Sequence, residues 1–223
     1  MRVARQVWKD RRYLRRPGAS PPVGRLRLME SGLTPQAARI LDCAQALIVA
    51  GGYNGFSYAD ISAEVGITKA SIHHHFPRKS DLVRTLVQRY RAAAIEGLSA
   101  LNANIASPLA RLGAYANWWS TCIADGSVPI CICAMLAAEL PAVPEEVAAE
   151  VHLHFDYLAG WLENVMVAGK ADGVFALQAS PRAEAQAFMA TVHGAMLSAR
   201  ACGDPQLFES IMKSTLERLS SAH

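Results

Sequence analysis

The chain has no apolar run approaching the ~20 residues that a bilayer-spanning helix needs. The longest candidate, Val128 to Leu140, is too short and carries Glu139. Nor does the basic N-terminus lead into the apolar core and small-residue cleavage site of a secretory signal. A cytoplasmic protein without a membrane partner is expected. Cysteine is scarce: Cys43, Cys122, Cys131, Cys133 and Cys202. An odd number at scattered positions argues against a disulfide framework in a cytosolic setting. Cys131-x-Cys133 lacks the two-residue spacing of a zinc knuckle or a thioredoxin-like pair. No nucleophile elbow, phosphate loop or metal-ligand set gathers Ser120, His193 and the carboxylates into one place. A helical enzyme is therefore the weakest reading, and no cofactor is expected. No alternating strand pattern of useful length is present, and no internal repeat is evident.

What is there begins with charge. The net charge of +3 hides an asymmetry: residues 1–30 carry nine Lys/Arg against two Asp/Glu, and the remainder carries 13 basic and 17 acidic groups. A basic front on a mildly acidic body suits a nucleic-acid binder, although a solvated tail would look the same. Residues 1–33 read as a basic, disordered extension, because Arg11, Arg12, Arg15 and Arg16 run into Pro17-Gly18-Ala19-Ser20-Pro21-Pro22, which cannot continue a helix. Met29 is a possible alternative start.

After residue 33, capping signals cut the chain into helices, and the expected class is all-α. Thr34-Pro35 is an N-cap followed by an N1 proline. Ile40, Leu41, Ala44, Leu47 and Ile48 then recur at helical spacing until Gly51-Gly52. Ser57 and Asp60 make a capping-box pattern for a short helix through Val65. Thr68 caps the next, Lys69 to His75, which Pro77 ends. A longer helix spans about 80–104. Ser107-Pro108, Ser180-Pro181 and Asp204-Pro205 repeat the start signal and open helices over about 108–124, 181–202 and 205–220. Pro129 and Pro141 bracket a short helix over about 130–139. Pro144-Glu145-Glu146 opens a long one to about Ala168, with acidic groups at its positive end.

The stretch Ser57 to Phe76 has the logic of a helix-turn-helix. Ile61 and Val65 share one helix face, Gly66 makes the turn, Ile67 plugs the junction, and Ile72 and Phe76 return to the same small core. Thr68, Lys69, Ser71 and His74 are left facing outward from a short second helix that fits a major groove. In Ser57, Ile61-Ser62, Gly66-Ile67-Thr68, Ser71-Ile72-His73-His74-His75-Phe76, Lys79 and Asp81-Leu82, the chain resembles the TetR family of transcriptional regulators. The resemblance implies phosphate contacts from Ser57, Thr68 and Lys79. It makes Lys69, Ser71 and His74 candidates for base or phosphate contacts, with Tyr58 and Ala70 on the same surface. His73 stands where the family usually has tyrosine; an imidazole can still donate to phosphate, with less reach. The run His73-His74-His75 is not a metal site, because successive helical residues diverge by about 100°. His75 reads as structural.

The resemblance divides the chain into a DNA-binding domain at 34–80 and an effector-binding and dimerisation domain at 81–223. It implies a ligand-released repressor that binds double-stranded DNA as a homodimer on a palindromic operator. Its dimer bundle would use the helices near 181–202 and 205–220. Ala187, Ala190, Gly194, Ala195 and Ser198 give those helices a small face, and Leu197 is among their apolar residues. A helical adaptor without DNA binding is the competing reading. Tyr115, Trp118, Trp119, Cys122, Met135, Phe155, Leu158, Trp161 and Leu162 are candidate lining of a mostly apolar effector pocket. His152 and His154 read as helix-surface groups. Ile130 to Glu139 resembles the Gly-Cys-Leu…Ala-x-Glu stretch of a subgroup that includes regulators responsive to electrophiles, with Cys131 on its cysteine and Ile130 replacing the glycine. Cys131 is either a sensing thiol at a helix start or an apolar core residue.

Overall fold

A computed structural model describes residues 33–220. The basic extension lies almost wholly outside these residues. The described chain is helical, with nine α-helices and no strand among the described residues. They are α1 (Pro35–Gly51), α2 (Tyr58–Val65), α3 (Lys69–His75), α4 (Lys79–Asn104), α5 (Pro108–Asp125), α6 (Ile132–Ala137), α7 (Glu145–Ala171), α8 (Pro181–Cys202) and α9 (Pro205–Ser220). Two 3-10 turns, η1 (Tyr53–Gly55) and η2 (Leu140–Ala142), complete the order. Among the described residues no helix is long and apolar enough to cross a membrane.

Helix starts follow local chemistry. The hydroxyls of Thr34, Ser57, Thr68, Ser107 and Ser180 each accept a backbone N–H of the following first turn. Proline occupies the first turn of α1, α5 and α8, where its missing N–H costs nothing. The short helix expected over 130–139 is shorter: α6 ends at Ala137, and the chain tightens into η2 around Pro141.

The described residues form two compact units, one of residues 33–90 with 132–151, the other of 91–131 with 152–220. In the first, α1 packs on α2, α3, η1 and α6. Ile40, Leu41, Ile48, Ile61, Ile72, Leu82, Leu86 and Leu136 are fully shielded there. Each such side chain contributes about 1.5–3 kcal/mol of burial. In the second, α9 packs on α5 and α8. Its core holds Leu112, Trp119, Leu162, Phe188, Val192, Met196 and Phe208.

Candidate DNA-reading head and effector interior

The turn of the head is fastened from several sides. Ser57 caps α2 while its own N–H donates to Asp60 Oδ2 at 2.7 Å, closing a capping box. Gly66 ends α2 at φ 73, in the left-handed region where a Cβ is disfavoured. The Ser62 hydroxyl donates to the Ile67 carbonyl at 2.6 Å, and Arg39 reaches over from α1 to the Val65 carbonyl at 3.0 Å. Tyr58 donates to the Phe76 carbonyl at 2.8 Å, tying the start of α2 to the end of α3. The spacing of α3 is thereby fixed without using its outer face.

Among the described residues, nothing covers most of that outer face. Thr68, Lys69, Ala70, His73 and His74 are exposed, and Ser71 is half-buried. The helix carries one lysine and no acidic residue. At seven residues it is about 10 Å long, a length that a major groove admits. His73 Nδ1 donates to the Pro77 carbonyl at 3.2 Å, and its ring lies edge-on to Tyr58 at 4.7 Å. His75 turns inward to pair with Gln36 at 3.2 Å, as its structural reading expects. The three imidazoles point to different neighbours.

Lys79 is placed differently from the others. Its ammonium donates to the Phe56 carbonyl at 2.5 Å and sits over the rings of Phe56 and Tyr53. Burial lowers its pKa, opposed by Asp60 and Glu139. A phosphate contact by Lys79 requires it to turn away from this seat. Tyr58 is half-buried, with its hydroxyl already engaged.

In the second unit the expected aromatic set does gather in part. Tyr115, Trp119, Leu158, Trp161 and Leu162 are buried, with Tyr115 and Trp161 ring centroids 5.7 Å apart. Trp161 donates to Asn102 at 3.1 Å. Burial, and after it the nearby Cys131, pushes the Tyr115 phenol above its ordinary range. Among the described residues, the shielded indole N–H groups of Trp118 and Trp119 and the His193 Nε2 meet no partner in bonding geometry, although Trp119 lies close enough to act on the Tyr115 hydroxyl. Phe155 packs its ring 5.2 Å from His193. Cys122 is buried, and burial raises its pKa. Met135 does not join this set; it is half-buried on α6, in the other compact unit. An open groove of about 400 Å³ between α5 and α9 shares no residue with the aromatic interior.

One expectation is reversed. His154 is not a surface group but 5% exposed, and its Nε2 lies 4.0 Å from Cys131 Sγ. His152 does face solvent, where it pairs with Asp156 at 3.2 Å. The reason is the helix period: His154, Leu158, Trp161 and Val165 recur three or four apart on the buried face of α7.

The family model for bacterial regulatory proteins of the tetR family matches residues 40–86, and that for the tetracyclin repressor-like C-terminal domain matches residues 108–215. No curated protein matches the chain. Among solved structures, a TetR-family transcriptional regulator from Agrobacterium tumefaciens is 54% identical, with TM-score 0.82, covering 83% of this chain and 98% of that one. A TetR transcriptional regulator from Legionella pneumophila is 25% identical, with TM-score 0.72 and coverage of 84% and 99%. The reduced form of E. coli NemR, at 18% identity, TM-score 0.75 and coverage of 85% and 99%, shares the fold. With 54% of aligned residues shared with the Agrobacterium regulator over nearly all of that protein, the chain belongs to the TetR family of ligand-responsive, DNA-binding transcriptional repressors and is not an enzyme.

Proposed function

We propose that this repressor acts in the cytoplasm on a palindromic operator. One α3 enters each half-site, with residues 34–80 as the DNA-binding domain and 81–223 as the effector-binding and dimerisation domain. The observation that carries the reading is the exposed outer face of α3, capped at Thr68 and seated on the buried Ile61, Ile72 and Phe76. Lys69, Ser71 and His74 are assigned to bases or phosphates, Ser57 and Thr68 to phosphates, and His73 to the backbone beside them. The homodimer forms through α8 and α9, so half-site spacing follows the protein's two-fold axis. Selection from random duplex DNA tests this directly. Lys69→Ala should weaken binding to the selected site by about 1–3 kcal/mol, roughly fivefold to 150-fold. A folded dimer that selects no DNA would sink the reading.

The effector is a small, largely apolar molecule with a hydrogen-bond acceptor. Tyr115, Leu158 and Trp161 offer it apolar surface, and the shielded indole N–H of Trp119 offers a donor. It acts by preferring a state of the dimer whose recognition helices no longer match the operator. A soft electrophile is a second effector class, favoured by the Cys131–His154 approach. An α,β-unsaturated carbonyl would form a bond from its β-carbon to Sγ, and the thiol proton would pass to His154 and then to the α-carbon. No leaving group is needed. Acrolein should then release wild-type protein from DNA but not Cys131→Ser; equal release of both removes Cys131 from sensing.

A further inference from the structure

Glu139 closes the stretch that the sequence singles out at 130–139, yet α6 stops before it. Its N–H donates to Leu136 at 3.0 Å, so its backbone is fixed by the turn leaving α6. Its carboxylate reaches a residue 86 positions earlier: Oε2 accepts the Tyr53 N–H at 3.0 Å. Gly52, just before, has φ 75 and lies directly beneath the same carboxylate; any Cβ there would overlap Glu139 Oε1. Two properties of glycine are used at once, the left-handed backbone and the absent side chain. Glu139 also acts on Lys79, favouring its charged form. Lys79 in turn holds the Phe56 carbonyl, the residue before the Ser57 cap of α2.

Thus one carboxylate closes η1 and favours the charge of Lys79, whose ammonium holds the carbonyl just before the Ser57 cap of α2. A charge-assisted bond to a backbone N–H is stronger than a neutral one and is directional. The residue supplying it follows the 131–132 bond, where the chain passes from one compact unit into the other. Resting on the DNA-binding reading above, we propose that Glu139 is a positioning residue for operator recognition: a clasp on the Gly52–Tyr53 turn whose release disengages the helix-turn-helix without unfolding it.

The test uses full-length protein and the duplex selected by the wild type, at a temperature where every variant is fully folded by circular dichroism. Glu139→Ala should lower operator affinity at least tenfold and raise the exchange rate of the Tyr53 amide by a similar factor. Glu139→Gln keeps an acceptor oxygen but loses the charge beside Lys79, so it should fall between the two. If Glu139→Ala does not fold, the Glu139→Gln comparison decides alone. Both variants binding with wild-type affinity, or Glu139→Ala leaving Tyr53 exchange unchanged, would overturn the clasp. A wild-type protein that selects no DNA would overturn the DNA-binding reading and the clasp with it.

Discussion

Five cysteines in one chain meet different surroundings, and those surroundings set their chemistry. Cys43 on α1 is half-buried; burial, then the carboxylates of Glu64, Asp42 and Asp60, push its thiol from 9.0 up to about 11. The thiolate is the nucleophile, so Cys43 should resist alkylation at pH 8 while the exposed Cys202 is modified. Mass spectrometry after a denaturing quench checks this, and rapid labelling of both at pH 8 would contradict it. The linkage has a definite sign. The folded state holds the Cys43 proton more tightly than the unfolded chain does. Its contribution is therefore complete below pH 9 and is lost as pH rises through about 11. Cys43→Ser should flatten that part of the alkaline decline in denaturant midpoint. Cys131 is 1% exposed, so its burial limits labelling in the folded protein.

At the scale of the helix, what could be read from the sequence was what is settled within a few residues. Thr34-Pro35, Ser107-Pro108 and Ser180-Pro181 mark starts because a hydroxyl and a fixed φ act on the next turn alone. The bounds of α3 followed from Thr68 and Pro77 for the same reason. The small core of the head was legible from the spacing of Ile61, Ile72 and Phe76. His154 shares the period of Leu158, Trp161 and Val165, and that position outweighs the polarity of its imidazole. The Glu139–Tyr53 bond was not legible. Nothing local links residues 86 apart, and a glutamate near a helix end has many possible partners. The seat of Lys79 on Phe56 and Tyr53 was hidden likewise, because a lysine's long stem lets its charge turn toward DNA or back onto its own domain.

At the scale of the whole molecule, reading a palindrome requires two copies of the head, so the proposed interface on α8 and α9 is open to direct attack. Along α8, Ala187, Ala190, Gly194 and Leu197 are exposed and recur three or four apart, whereas Ala195 and Phe188 of the same helix face the core. Leu197 is 55% exposed, an unusual setting for a leucine on so regular a stripe. Small residues allow two helices to approach closely, and a large apolar side chain among them gains most from being covered. In a two-fold interface every substitution occurs twice. Replacing Leu197 by Lys therefore removes two burials of about 1.5–3 kcal/mol each. The dimer constant should weaken by at least roughly a hundredfold, since about 1.4 kcal/mol is a factor of ten. Sedimentation at micromolar concentration should show Leu197→Lys as a folded monomer where the wild type is a dimer. Operator affinity should fall further than for Lys69→Ala, because an entire half-site is lost rather than one contact. A Leu197→Lys dimer as tight as the wild type would mean that α8 faces solvent and that the two heads are joined elsewhere.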